Sequence, residues 1–384
     1  MRRSFLRAGA AAALGLGPQL VDWSWLGSSG RGAHAQATLP AGRIAVLAEN
    51  ALWLLDAGGS RRRLAAGTGG WLQDPSWSPD GATLVYTHVQ LRAGVGAAAP
   101  GGIPWPSGEV YAVRPGSPGA EPGLLLRREA PNETLVSAAW SPDGRSLYAV
   151  RRRPSATAPA FTSISDILRL DLGTGERSVI SAPADSSELN VGPDGSLALI
   201  AETGPAVTGV RDTSLLRVLA DGTVQELAST APTAAVPSLG LVATPRFSPD
   251  GRKIAFIAGE GPAGAMAMAG AAGAGLPGNS QADRGVGRFA AQVIGTGPRA
   301  AQAHGAVGWP WVANLETGQL WRVPSGPHDD LTGLAWLPDD PAAPGMERLL
   351  LLDAQGIAAV RVADGALQRF VTPVNGATAL AYRD

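Results

Sequence analysis

Short apolar runs punctuate the whole chain, and each begins just after a turn. "ATLVYTHV" (82–89), "RSLYAVRR" (145–152), "SLALIAE" (196–202), "RKIAFIA" (252–258) and "ERLLLLD" (347–353) follow "SWSPDG" (76–81), "AWSPDG" (139–144), "NVGPDG" (190–195), "RFSPDG" (246–251) and the degraded "AWLPDD" (335–340). In each turn Pro supplies a φ near −65°, Asp follows it, and Gly takes the position where φ must be positive. This is the chemistry of a type I turn closing a hairpin with a bulge. A second apolar run with its own turn comes next, as in "DILRLDLGTG", "SLLRVLADG", "PWVANLETG" and "IAAVRVADG". A third, more polar run closes each unit, as in "ERSVISA", "TVQELAS", "QLWRVPS" and "ALQRFVTP". Four short strands per repeat, apolar inside and polar outermost, predict an all-β chain of propeller blades. No stretch sustains the 3.6-residue period of a helix, and 51 Gly and 31 Pro agree with a turn-rich chain.

The ends of the chain complete the count. "RIAVLAEN", "ALWLLDAGG" and "SRRRLAA" read as strands two to four of a blade that lacks its innermost strand, and the last residues, "ATALAYRD", supply it. The expectation is a six-bladed β-propeller whose blade one is closed by N-terminal strands plus the C-terminal strand, a closure that removes sheet edges. The residues before the turns, Trp77, Trp140, Val191, Phe247 and Trp336, are expected to pack between blades, and the turn aspartates to act as turn formers.

The "WSPDG" turns followed by "IAF"-like strands resemble the repeats of TolB-type propellers, the WD-repeat-like family of exported six-bladed proteins. The resemblance covers roughly residues 41–384 and implies the fold more than a function. TolB carries an α/β domain before its propeller for which this chain has no room, so a Tol–Pal role is not expected here.

Composition and charge narrow the functional classes. A net charge of −1 over 384 residues offers no basic excess to recruit nucleic acid. Residues 1–35 open with "MRRSFLRAGAAAALGLG" and reach "AHAQA" at 33–37, which resembles a cleaved twin-arginine export signal. Gly17, Pro18 and Asp22 interrupt its apolar run well short of the ~20 residues a membrane span requires. Residues 36–384 then form the propeller, which is expected to be periplasmic or extracellular and monomeric. Cysteine is absent, so no disulfide, thiol nucleophile or thiolate metal site is available.

Function is expected in the loops joining strands two and three of the blades, which share a face with the blade-to-blade connections. Blades one and six have tight loops there ("AEN", "DAQG"), whereas blades two to five carry insertions near 90–107, 153–164, 203–212 and 260–309. The last, rich in Gly and Ala, is expected to be flexible. Trp105, Trp309 and Trp311 end two insertions beside prolines, and Arg151, Arg152, Arg153 and Arg211 stand at loop bases. Aromatics with arginines are the composition that binding hot spots favour, so these residues are the candidates for holding a protein, glycan or small-molecule partner, an envelope component among them. No Gly-x-Ser-x-Gly elbow, phosphate loop or His-Glu-x-x-His occurs, and no cofactor is expected. An alternative reading places a Ca²⁺-dependent lactonase- or esterase-like site at the channel mouth. Asp74, Glu133, Glu188, Asn190 and Asp329 would be its ligands, as some six-bladed hydrolases bind Ca²⁺ with carboxylates and Asn there.

Overall fold

The computed structural model describes residues 39–383 apart from 41, 57–59, 91–97, 100–102, 118–120, 156–162, 184, 204–211, 231–238, 260–306, 340–342 and 371–376. The export-signal segment, Arg211 and most of the Gly/Ala-rich insertion therefore lie outside the described residues. Those described contain strands and no helix, and they form six principal sheets, each with four strands in antiparallel succession. Their innermost strands are Ala379–Arg383, Gly70–Trp77, Thr134–Trp140, Asp185–Val191, Val242–Phe247 and Gly333–Trp336, in blades one to six. Blade one is closed as expected: Arg43–Leu47 pair antiparallel with Arg383–Ala379.

The repeated turns form through their side chains. In the first, Ser78 Oγ donates to Asp80 Oδ1 at 2.5 Å, and the same oxygen accepts the Ala82 N–H at 2.9 Å. Gly81 closes the turn at φ 66°, where a Cβ would be strained. Ser141 with Asp143 and Ser248 with Asp250 repeat the pattern. The Ser78 and Ser141 hydroxyls hold the Asp80 and Asp143 carboxyls below the ordinary carboxylate range, aided by the backbone N–H groups. These aspartates are turn formers.

Alternation of side chains sends each strand's apolar residues to both faces, so every sheet is covered twice. Among the described residues the core consists of six clusters, each shared by two adjacent blades. Trp77, Phe247 and Trp336 sit in these seams, with Trp140 and Val191 packed against them. The indoles of Trp140 and Trp336 also donate to Ser76 O and Arg246 O of the preceding blade, at 3.3 and 2.9 Å. On the seam between blades five and six, Lys253, the chain's one lysine, pairs with Glu347.

One feature escapes the repeat pattern. The innermost strands of blades two to five each carry a bulge, at Gln73/Ser76, Leu135/Ser137, Ser186/Glu188 and Ala243/Arg246. Asp74 and Thr244 stand in two of them at φ 49° and 56°. The bulges turn polar side chains toward the next blade. Ser137 Oγ accepts the Leu189 N–H, Glu188 Oε2 accepts the Thr244 N–H at 2.7 Å, and Asn190 Oδ1 accepts the Phe247 N–H at 2.9 Å. Thr244 is the donor that lies within a bulge, and its N–H, lost to the ladder there, is satisfied by Glu188.

Candidate binding face

Antiparallel order puts the two-to-three loops and the blade-to-blade connections on one face, here the loop face, and the Ser-Pro-Asp-Gly turns on the other, the turn face. At the loop-face end of blade three, strand two runs on to Pro154 and pairs with Ser163–Asp166. This extension draws Arg151–Arg153 into the protein. Arg151 grips Asp166 with Nε and Nη2, both at 2.7 Å, and its Nη1 reaches Glu133 at 3.3 Å and Glu129 at 3.4 Å. The hydrogen bonds to Asp166 raise the Arg151 pKa further above its ordinary value. Arg152, fully buried, donates to Asp185 at 2.7 Å and Ser163 at 2.6 Å and stands 3.6 Å from Glu202 in blade four. Arg153 adds a contact to Asp166 at 2.6 Å. Buried charges are tolerated only with partners of this quality, and the cluster locks blade three to blade four. Arg151 and Arg152, expected as loop-base contacts for a ligand, thus face protein carboxylates.

Trp105 is only 1% exposed. It is among the largest fully buried side chains, two residues before strand Ser107–Val113, and offers no face for stacking. Trp309 and Trp311 differ. Both lie half-buried in strand Val307–Asn314, two residues apart and so on one face of the sheet. Arg322, the cross-strand partner of Trp311, lays its guanidinium 5.4 Å from the Trp309 ring centroid. Trp311 packs on the seam with blade four, and Trp309 and exposed Arg322 extend from it toward the loop face. Arg322 was not singled out in the sequence. The hairpin register across "LETG" carries the signal, because it pairs position 311 with 322.

The five residues of the metal alternative are not brought together. Among the described residues no group of three or more His, Asp or Glu side chains could hold a metal ion. Glu133 accepts the backbone N–H groups of Glu129 and Ala130 and faces Arg151, while Glu188 and Asn190 brace blade five. Asp74 lies in the blade-two bulge, and Asp329 is exposed in the short strand His328–Asp329.

Between blades five and six the fold assembles a relay that sequence spacing does not suggest. His328, 3% exposed, places Nδ1 2.9 Å from Asp353 Oδ2 and Nε2 2.9 Å from Ser325 Oγ. Burial pushes the Asp353 carboxyl up, but the hydrogen bonds from His328 and Arg369 and the Arg369 charge outweigh it and bring it down to about 2. An ionised carboxylate only accepts, so Nδ1 donates to Asp353, while Nε2 lies within hydrogen-bond reach of the Ser325 hydroxyl. The connectivity is that of a nucleophile, base and carboxylate. Arg369, however, takes both oxygens of Asp353 at 2.6 and 2.8 Å, leaving little of its charge to stabilise an imidazolium. The arrangement is a clamp holding the blade-five exit to blade six.

No family model and no curated protein sequence matches the chain. Among solved structures, the nidogen/laminin complex matches 88% of this chain and 97% of its own, with a TM-score of 0.52 at 9% identity. TolB from Acinetobacter baumannii matches 89% of this chain at 14% identity with a TM-score of 0.44, and the chain spans 66% of that TolB chain. An oligogalacturonate lyase in complex with manganese matches 84% of this chain and 70% of its own at 14% identity, TM-score 0.43. At such identities the likeness is one of fold. The protein is a six-bladed β-propeller with TolB propeller proteins among its structural neighbours, and no helix among the described residues is long and apolar enough to cross a membrane.

Proposed function

We propose that the protein is an exported, monomeric β-propeller that binds or scaffolds a protein or other envelope component through its loop face. The observation that carries this reading is the Trp309–Arg322 stack beside Trp311 at the edge of blade five. Two indoles and a guanidinium are pre-organised there by the sheet, so little side-chain entropy is lost when a partner covers them. The Arg151–Arg153 cluster contributes rigidity beneath the neighbouring loops, not contact area. Tight loops at blades one and six leave the binding surface to the remaining sector.

The test uses the mature protein as bait in an extract of its own cell envelope. Trp309→Ala and Arg322→Ala should each weaken capture of a specific partner by more than about 1 kcal/mol in affinity while the melting temperature stays within a few degrees. Asp143→Ala, on the turn face, should leave capture unchanged. Equal capture by all three variants, or a melting temperature that rises in millimolar Ca²⁺, would turn the reading toward the channel-mouth hydrolase. Export is tested separately: replacing Arg2 and Arg3 by Lys should abolish the processed form outside the cytoplasm, because Lys lacks the planar guanidinium.

A further inference from the structure

On its turn-face side the seam between blades five and six is not filled. A cavity of about 350 Å³ remains there, with Trp321 and Pro324 on the blade-five side and Met346 and Val362 on the blade-six side. Gly345 and Ala363, both exposed, form its rim, so solvent enters. Met346 is half-buried in the cavity wall and is the one methionine among the described residues. Its backbone is fixed, because the Met346 N–H donates to Ala343 O at 3.1 Å in the turn that leads into strand Arg348–Asp353.

The sulfur faces a donor. Arg361 Nη1 lies 3.4 Å from Met346 Sδ, within reach of an N–H···S bond. The other two nitrogens of that guanidinium, Nε and Nη2, are held by the two oxygens of Asp364, Nε at 2.5 Å. The planar fork is thereby oriented, and its remaining arm points at a thioether, which is a weak acceptor. Arg348, a like charge, is the direct cross-strand partner of Arg361, and Glu347 is taken by Lys253. The place therefore favours an added oxygen dipole. Filling an irregular gap accounts for a methionine in a seam. It accounts neither for an N–H held against the sulfur nor for the open space beside it.

We propose that Met346 is an oxidation site of the propeller, at which a peroxide transfers one oxygen atom to Sδ and the resulting sulfoxide oxygen is bound by Arg361. The sulfur lone pair attacks one oxygen of hydrogen peroxide, the S–O bond forms as the O–O bond breaks, and the proton on the attacked oxygen moves to the departing one. Sulfur is oxidised by two electrons and the rest of the peroxide leaves as water. The cavity supplies the room, since 350 Å³ far exceeds the ~30 Å³ that one water takes up. A sulfoxide accepts far more strongly than a thioether, so the product gains the bond for which Arg361 is already oriented. Oxidation ordinarily loosens packing by making an apolar side chain polar. Here the new bond offsets that loss and the seam stays shut.

The experiment treats the full chain with hydrogen peroxide, maps sulfoxide by peptide mass, and compares melting midpoints before and after treatment. In wild type Met346 should gain one oxygen while the protein is folded, with little change in the midpoint. In Arg361→Ala the same oxidation should lower the midpoint by about 2 °C or more, because the sulfoxide is left without its donor. Met346→Leu, treated alike, gives the shift contributed by the other methionines, which is subtracted. If Arg361→Ala does not fold, Arg361→Lys takes its place, keeping the charge and losing the fork, with a smaller difference expected. A Met346 that stays unmodified until the protein unfolds overturns the proposal. So does an oxidation shift that is equal in wild type and in the Arg361 variants.

Discussion

Neutralising Asp353 tests the clamp between blades five and six. Asp353→Asn keeps one acceptor oxygen, enough for either the Gln355 N–H on Oδ1 or His328 on Oδ2, and removes the charge that holds Arg369. Displacement of the carboxyl from 3.8 to about 2 corresponds to about 2.4 kcal/mol of native-state stabilisation at ~1.36 kcal/mol per pH unit. Arg369 is 30% exposed, so solvent screening reduces the expected loss to about 1–2 kcal/mol at neutral pH. The sign follows from the lowered pKa: the contribution is complete above the unfolded-state value of 3.8 and is lost as pH falls toward 2. By pH 3 about half should remain. Urea unfolding of wild type and variant at pH 7, 5, 4 and 3 gives the difference directly, provided the denaturant slopes agree. A difference below about 0.5 kcal/mol at pH 7, or one that stays constant down to pH 3, would show that the charge on Asp353 contributes nothing through this clamp.

Two further changes probe the loop-face residues. Trp105→Ala should cost about 3–5 kcal/mol in chemical denaturation, since it empties a fully buried site, whereas Trp309→Ala at a half-buried one should cost far less. Arg152→Ala should destabilise by about 3–5 kcal/mol because Asp185 and Glu202 would be left buried opposite an empty space, and the loss should shrink when Asp185→Asn is added.

The architecture was written plainly in the chain because propeller strands and turns are local. Ser-Pro-Asp-Gly builds the same hydrogen bonds wherever it occurs, and the apolar run after it has one way to face both seams. The closing strand was legible for a related reason: "ATALAYRD" fills the place that "RIAVLAEN" leaves open. What the sequence concealed depends on contacts between blades. Arg151 and Arg152 look like loop-base cations until strand two is seen to extend to Pro154 and carry them against Asp166 and Asp185. Glu188 and Asn190 look like ligands for a cation until the bulge at Ser186/Glu188 aims them at backbone N–H groups of blade five. His328 and Asp353 are 25 residues apart and meet only because blade six packs against blade five. The tryptophans divided: the chain shows where they lie relative to the insertions, but not that Trp105 is fully buried while Trp309 is half-buried.

The Lys253–Glu347 pair has a practical meaning for anyone handling this protein. With no cysteine and one lysine, the chain has no thiol to label, and besides its α-amino group it has a single primary amine. Its side chain is 20% exposed, and its amine is paired with a carboxylate across the seam between blades five and six. Apart from the α-amino group, an acylating reagent therefore reads one location, and reacts there fully only when the seam parts enough to release the ammonium. The rate of Lys253 modification is a built-in gauge of how often these two blades separate, and a fluorophore attached there would report on the ring from a place defined by the sequence itself.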